Sequence, residues 1–151
     1  MKFSEGLIDG VKEFEGLYLK PYFCPTGHLT IGYGHLCGKN QREITEAEAD
    51  RLLIEDLNYA AQCVLASSPI LASEPQCRLE ALASWAFNLG VNAYKGSTLK
   101  KRVDAGLWDA AAEEIVRWVY GTVDGGKKKL PGLVRRRAWE AQVFITGDYR
   151  L

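Results

Sequence analysis

The chain has 151 residues, 47% of them hydrophobic and 25% charged, with nineteen basic side chains balancing nineteen acidic ones. That is one domain's worth of sequence, long enough to bury roughly 68–70% of its unfolded surface, and it excludes a disordered tail, a repeat array and a strongly basic nucleic-acid binder. The balance is uneven: residues 1–80 carry seven basic and twelve acidic side chains, residues 81–151 twelve and seven.

Residues 4–15 read as an amphipathic helix. Leu7, Ile8, Val11 and Phe14 share one face, Ser4 offers an N-cap, and Gly16 a stop. Glu5, Asp9 and Glu13 rule out a signal peptide here. No apolar run nears the ~18 residues of a membrane span. Neither self-export by the usual route nor stable membrane insertion is expected.

Residues 17–36 change period. Tyr18, Pro21, Gly27, Gly32 and Gly34 break helices, and Pro25-Thr26-Gly27 is turn chemistry. Tyr22-Phe23 and Leu29-Thr30-Ile31 are short strands around that turn, in a sheet of two or three strands. Thr45-Glu46-Ala47-Glu48 then fits a capping box. Ala49, Leu52, Leu53, Leu57, Ala60, Ala61 and Val64 continue the helical period to about Ala66. Such a helix spans about 33 Å, enough to join two lobes, and Ser67-Ser68-Pro69 ends it.

The next helix runs from Pro75 to Leu89, with Leu79, Leu82, Ala83, Ala86 and Phe87 on one face, and stops at Gly90. Helices over 97–105 and 108–119 follow. Gly121 to Gly126 with Lys127 to Lys129 reads as a loop, and Pro131 opens a last helix that ends near Thr146. The lysine run and Arg135-Arg136-Arg137 form the densest positive region. It reads either as a solvated loop and helix face or as a surface for an anionic partner. The fold class is α+β: a small sheet near the N-terminus and a mainly helical remainder.

Cys24, Cys37, Cys63 and Cys77 form no Cys-x-x-Cys pair, and no histidine lies at zinc-ligand spacing, so neither metal nor cofactor is expected. The thiols read as mostly reduced. Cys63 and Cys77, flanking the loop between two helices, are the pair weighed for a bridge.

The chemistry concentrates near the first helix. Glu15 closes it, where the negative end of the helix dipole disfavours a carboxylate. A neutral carboxylic acid is what general acid catalysis needs. The hairpin that follows brings Cys24 and Thr30 toward the same cleft. Two readings fit. In glycoside hydrolysis, Glu15 protonates the departing sugar oxygen while Cys24 and Thr30 hold water on the opposite face. In thiol catalysis, Cys24 attacks an amide with His28 or His35 as base. A module that binds cell walls through its basic residues without catalysis is the third class.

Phe14-Glu15-Gly16, Tyr22 and Gly27-His28-Leu29-Thr30-Ile31-Gly32-Tyr33-Gly34-His35 resemble the phage lysozymes of glycoside hydrolase family 24. The signature of that family is Glu, eight residues, Asp or Cys, five residues, Thr, and Glu15, Cys24 and Thr30 keep that spacing. The likeness continues through Trp85-Ala86-Phe87-Asn88-Leu89-Gly90, Gly96-Ser97-Thr98-Leu99, Arg117-Trp118 and Leu130 to Glu140. It implies cleavage of the β-1,4 bond between N-acetylmuramic acid and N-acetylglucosamine. It makes Glu15 the general acid, Thr30 the water-positioning hydroxyl, and Cys24 the occupant of a position more often aspartate. It implies a sugar cleft lined by Leu36, Phe87, Asn88, Thr98 and Arg137, with Arg136 or Arg137 reaching Glu15. It also implies a single two-lobed domain over 1–151: a sheet lobe over about 16–45, a connecting helix over about 45–66, and a helical lobe over about 75–147 that includes helix 4–15. Peptidoglycan is the implied partner. The implied protein is a monomeric endolysin, made in the host cytoplasm, released by a separate holin and acting in the periplasm.

Overall fold

The computed structural model describes residues 1–24 and 27–151. The turn expected over Pro25-Thr26-Gly27 lies partly outside the described residues. Helix α1 (Glu5–Glu15) leads into a three-stranded antiparallel sheet, β1 (Tyr18–Phe23), β2 (Leu29–Gly32) and β3 (His35–Leu36), in the order β1-β2-β3. Tyr22 pairs with Thr30 and Thr30 with Leu36. The register of β1 shifts between Tyr18 and Tyr22, a bulge that keeps both rings on one side, stacked with centroids 3.9 Å apart. Ser4 stands at the N-cap of α1, but its hydroxyl makes no cap bond. Its backbone N–H donates instead to Glu80, 2.8 Å away.

Helix α2 (Glu46–Ser67) opens with the full capping box: the Thr45 hydroxyl accepts from the Glu48 N–H at 3.1 Å, and the Glu48 carboxylate accepts from the Thr45 N–H at 3.2 Å. It packs on β2 and β3 at one end and on the helical region along its length. That is the connecting role its length implied. A short 3-10 turn (Pro69–Ser73) separates it from α3 (Gln76–Leu89).

Helix α3 is not one-faced as expected. Leu79 through Ala86 are all buried, including Glu80 and Ser84. It is the central helix, wrapped by α2 and by α7 (Pro131–Thr146), so neighbours cover every side. The buried Glu80 carboxylate accepts from Ser4, from Gln76 at 2.8 Å and from the Tyr149 hydroxyl, tying both chain ends to the core.

Between α3 and α7 come α4 (Val91–Lys95), α5 (Thr98–Asp104) and α6 (Trp108–Ile115). Helix α6 stops at Ile115, short of the expected residue 119. The expected loop after it is a hairpin, β4 (Tyr120–Val123) and β5 (Gly126–Lys129), turning on Asp124 (φ 51°) and Gly125 (φ 78°). An Asp-Gly pair with both φ positive suits a tight two-residue hairpin turn. Cys63 and Cys77 form no disulfide, so the bridge weighed for them is absent. No helix among the described residues is long and apolar enough to cross a membrane.

Candidate active site

Glu15 is the last residue of α1, and Gly16 (φ 74°) turns the chain away so that the carboxylate projects beyond the helix end. Helix α1 reaches α7 closely because Gly10 has no side chain: a Cβ there would lie 2.2 Å from the Trp139 ring. Phe14 and Trp139 also meet, with centroids 5.5 Å apart. This approach brings Glu15 to the Arg136 guanidinium, which donates to Glu15 Oε2 through Nη1. From the sheet side, Gly34 (φ 81°) meets the same carboxylate, for a Cβ there would stand 2.6 Å from Glu15 Oε1. The left-handed backbone and the contact both call for glycine. Glu15 therefore sits where α1, the β2–β3 turn and α7 converge.

Thr30 is 4% exposed, and its hydroxyl donates to the Tyr22 carbonyl oxygen at 3.1 Å. With its hydrogen engaged, the oxygen keeps acceptor capacity for a water. Cys24 follows β1. Its N–H donates to the His28 carbonyl oxygen at 2.8 Å, and its Sγ lies 4.0 Å from His28 Nδ1. The Tyr22 phenol is shifted by groups on several sides. Burial pushes its pKa up, the Thr30 hydroxyl opposes this, and the charges of Tyr18, Glu15 and Cys24 add to the rise. His35 is committed elsewhere: its Nδ1 is 2.8 Å from Asp56 Oδ2 on α2, a link between sheet and connecting helix.

Behind Glu15 lies a buried ionic cluster. Arg136 Nε faces Glu140 Oε2 at 3.3 Å, and its Nη2 donates to Ser84 Oγ at 3.2 Å. Ser84 in turn donates to Glu140 Oε2 at 2.5 Å. Arg137 donates to the same oxygen through Nη2 at 3.1 Å. Its Nε is 2.7 Å from Glu140 Oε1 but off the line of a hydrogen bond. Burial pushes the Arg137 guanidinium pKa down, and the charge and hydrogen bond of Glu140 oppose the shift.

The expected sugar-cleft residues fare differently. Leu36 on β3 is 65% exposed, and Thr98 is exposed at the start of α5. Phe87 is half-buried, its ring centroid 5.9 Å from Arg136 Cζ, which joins it to the Glu15 neighbourhood. Asn88 turns its Oδ1 inward, without a hydrogen-bond partner among the described residues. Arg137 is 0% exposed and offers no surface to a sugar, which corrects the expectation of a lining role. Of the two arginines considered for Glu15, Arg136 is the one that reaches it.

Tyr18 and Tyr22, four residues apart on one face of β1, stack beside this region. A signal for Arg136 existed in its spacing to Glu140, one helical turn on. Among the described residues, a cavity of about 570 Å³ at Arg78, Trp108 and Ile145 and another of about 400 Å³ at Phe14, Trp139 and Leu151 both lie away from Glu15 and Thr30.

The family described as "Phage lysozyme" matches residues 12–140. The chain is 36% identical to the endolysin of Acyrthosiphon pisum secondary endosymbiont phage 1, over 95% of this chain and 98% of that one. It spans only 56% of the length of the endolysin of Bacillus phage B103, at 36% identity. Among solved structures, the endolysin from Escherichia coli O157:H7 phage FAHEc1 superposes with a TM-score of 0.84 at 32% identity, covering 100% of this chain and 98% of that one. The muramidase domain of SpmX from Asticaccaulis excentricus superposes with a TM-score of 0.82, also at 32% identity, covering 96% and 98%.

Proposed function

The chain belongs to the phage lysozyme family, and from that premise we propose that it is an endolysin that cleaves the β-1,4 bond between N-acetylmuramic acid and N-acetylglucosamine of peptidoglycan. Glu15 is the general acid. Its proton goes to the bridging oxygen as the bond to the anomeric carbon breaks. Water attacks that carbon from the opposite face, steered by the Thr30 oxygen, whose own hydrogen is held by the Tyr22 carbonyl; it gives up a proton to solvent, and solvent returns one to the Glu15 carboxylate. In this reading the Cys24 sulfur helps to orient the water. A thiol is a weak base unless its pKa falls, so the reaction leans on Glu15 and on placement of the sugar.

The observation that carries this reading is the setting of Glu15: a mostly buried carboxylate at the meeting of α1, the β2–β3 turn and α7, held by Arg136 and met by Gly34 from the sheet side. Leu36, Phe87, Asn88 and Thr98 line the approach for the sugars. The protein works as a monomer, is made in the host cytoplasm, and reaches the wall through a separate holin.

Digestion of purified peptidoglycan tests the reading. New reducing sugar ends are expected, and Glu15→Gln is expected to lower their release about 10²–10⁴-fold. Retention of activity in a folded Glu15→Gln protein overturns the assignment. Release of amino groups without reducing ends, together with an inactive Cys24→Asp, points instead to amide cleavage by the thiol.

A further inference from the structure

We propose that Glu140 and Arg137 are positioning residues: Glu140 shares the Arg136 guanidinium with Glu15, and Arg137, by compensating Glu140, sets how that cation is divided between the two carboxylates. The inference rests on the acid role proposed for Glu15.

The geometry is that of one fork with three claims on it. Arg136 sends Nη1 to Glu15, Nε to Glu140 at 3.3 Å and Nη2 to Ser84 Oγ at 3.2 Å. Glu140 and Arg137 are fully buried, and the Arg136 side chain is 4% exposed. The cluster holds two carboxylates and two guanidiniums. At low effective dielectric each charge is felt strongly by the others. Arg137 compensates Glu140 incompletely: its Nε contact is misaligned, and its Nη1 has no hydrogen-bond partner among the described residues. Glu140 therefore retains a hold on Arg136, and an undivided Arg136 would bind the carboxylate form of Glu15 and oppose its protonation.

The other groups facing Glu15 are few. From β1, the Tyr22 phenol senses the Glu15 charge together with those of Tyr18 and Cys24. Ser84 on α3 is neutral and acts through Arg136. Lys12, one turn back on α1, is held by Asp50 at 2.8 Å. Arg137 also senses the Glu15 charge from α7.

The test is the pH–rate profile on peptidoglycan, with the Glu15 carboxyl titration followed by carbon NMR. A general acid works while protonated, so the alkaline limb of the profile reports Glu15. Glu140→Gln leaves two cations without their carboxylate, and the limb moves to lower pH. Arg137→Met frees Glu140 to draw Arg136 away, and the limb moves to higher pH. Each shift is expected to be about one pH unit. A purely structural role produces no such opposition of sign.

Either single variant unpairs a buried charge. If both fail to fold, Arg137→Met with Glu140→Met removes the pair whole and leaves Arg136 to Glu15 alone, so its limb moves to lower pH. Unmoved limbs in folded variants, or singles that shift the same way, overturn the proposal. If the Glu15 titration shifts as expected while the rate limb does not, the charge arrangement stands and the acid role of Glu15 falls.

Discussion

Lys127-Lys128-Lys129 and Arg135-Arg136-Arg137 carry the same formal charge in one short stretch, yet they meet opposite fates. Every residue of β5 is exposed, and none of the three lysines forms an ion pair among the described residues. In the second triplet only Arg135 stays outside, while Arg136 and Arg137 are buried against Glu15, Ser84 and Glu140. The difference teaches that charge density on a sequence does not report solvation. Period and side-chain type do. Arg136 and Arg137 lie four and three residues before Glu140 on the face of α7 that also buries Trp139, Val143 and Phe144. A planar guanidinium can serve several acceptors at once. The lysines alternate along an isolated two-stranded ribbon with little to bury them, and a compact ammonium prefers water.

The contrast is broken most forcefully at its buried side. Arg136→Met strands Glu15 and Glu140 together and is expected to cost about 3–5 kcal/mol in urea denaturation at neutral pH, because one partner of a buried network is lost. Lys127→Met, measured alongside, should stay within about 0.5 kcal/mol. Equal losses would erase the distinction.

Arg136→Lys asks whether charge alone suffices. One ammonium cannot span Glu15, Ser84 and Glu140, so a loss of about 1–3 kcal/mol and lower lytic activity are expected. Wild-type stability and activity would show that the fork geometry is dispensable.

A buried neutral group sharpens the same comparison. The Tyr94 phenol, bonded to Ser68 at 2.7 Å, is pushed up to about 12, chiefly by burial. The folded state holds this proton more tightly than the unfolded chain. Its contribution is therefore complete below about pH 10 and is lost as pH rises toward about 12. Tyr94→Phe should cost about 1 kcal/mol at pH 7, and its stability should fall less steeply across the alkaline window.

The smallest effect belongs to the ribbon. Replacing all three lysines with glutamine should leave the melting temperature nearly unchanged. Wall digestion by that variant should depend less on salt than digestion by the parent, since exposed charges act over a screening length of about 10 Å at 0.1 M ionic strength.

Much of the fold was legible because its signals are local. The Thr45–Glu48 capping box, Pro131 at the start of α7 and glycine after α1, α3 and α7 each mark a boundary through chemistry within a few residues. The β4–β5 ribbon is not legible as strands, although Asp124-Gly125 carries the turn signal, because three lysines in a row do not alternate apolar with polar. The period of α3 marks its apolar positions but not the closure of α2 and α7 around its polar ones.

The spacing Glu15, Cys24, Thr30 is a property of the sequence, as are the helix that ends at Glu15 and the strand that carries Thr30. Which arginine meets Glu15 is not, since adjacent helical positions point about 100° apart and the packing of Gly10 and Phe14 against Trp139 brings α1 to α7. Local periodicity writes each element into the chain. Partnerships between elements depend on contacts over a hundred residues apart, and those arise only once the core has closed.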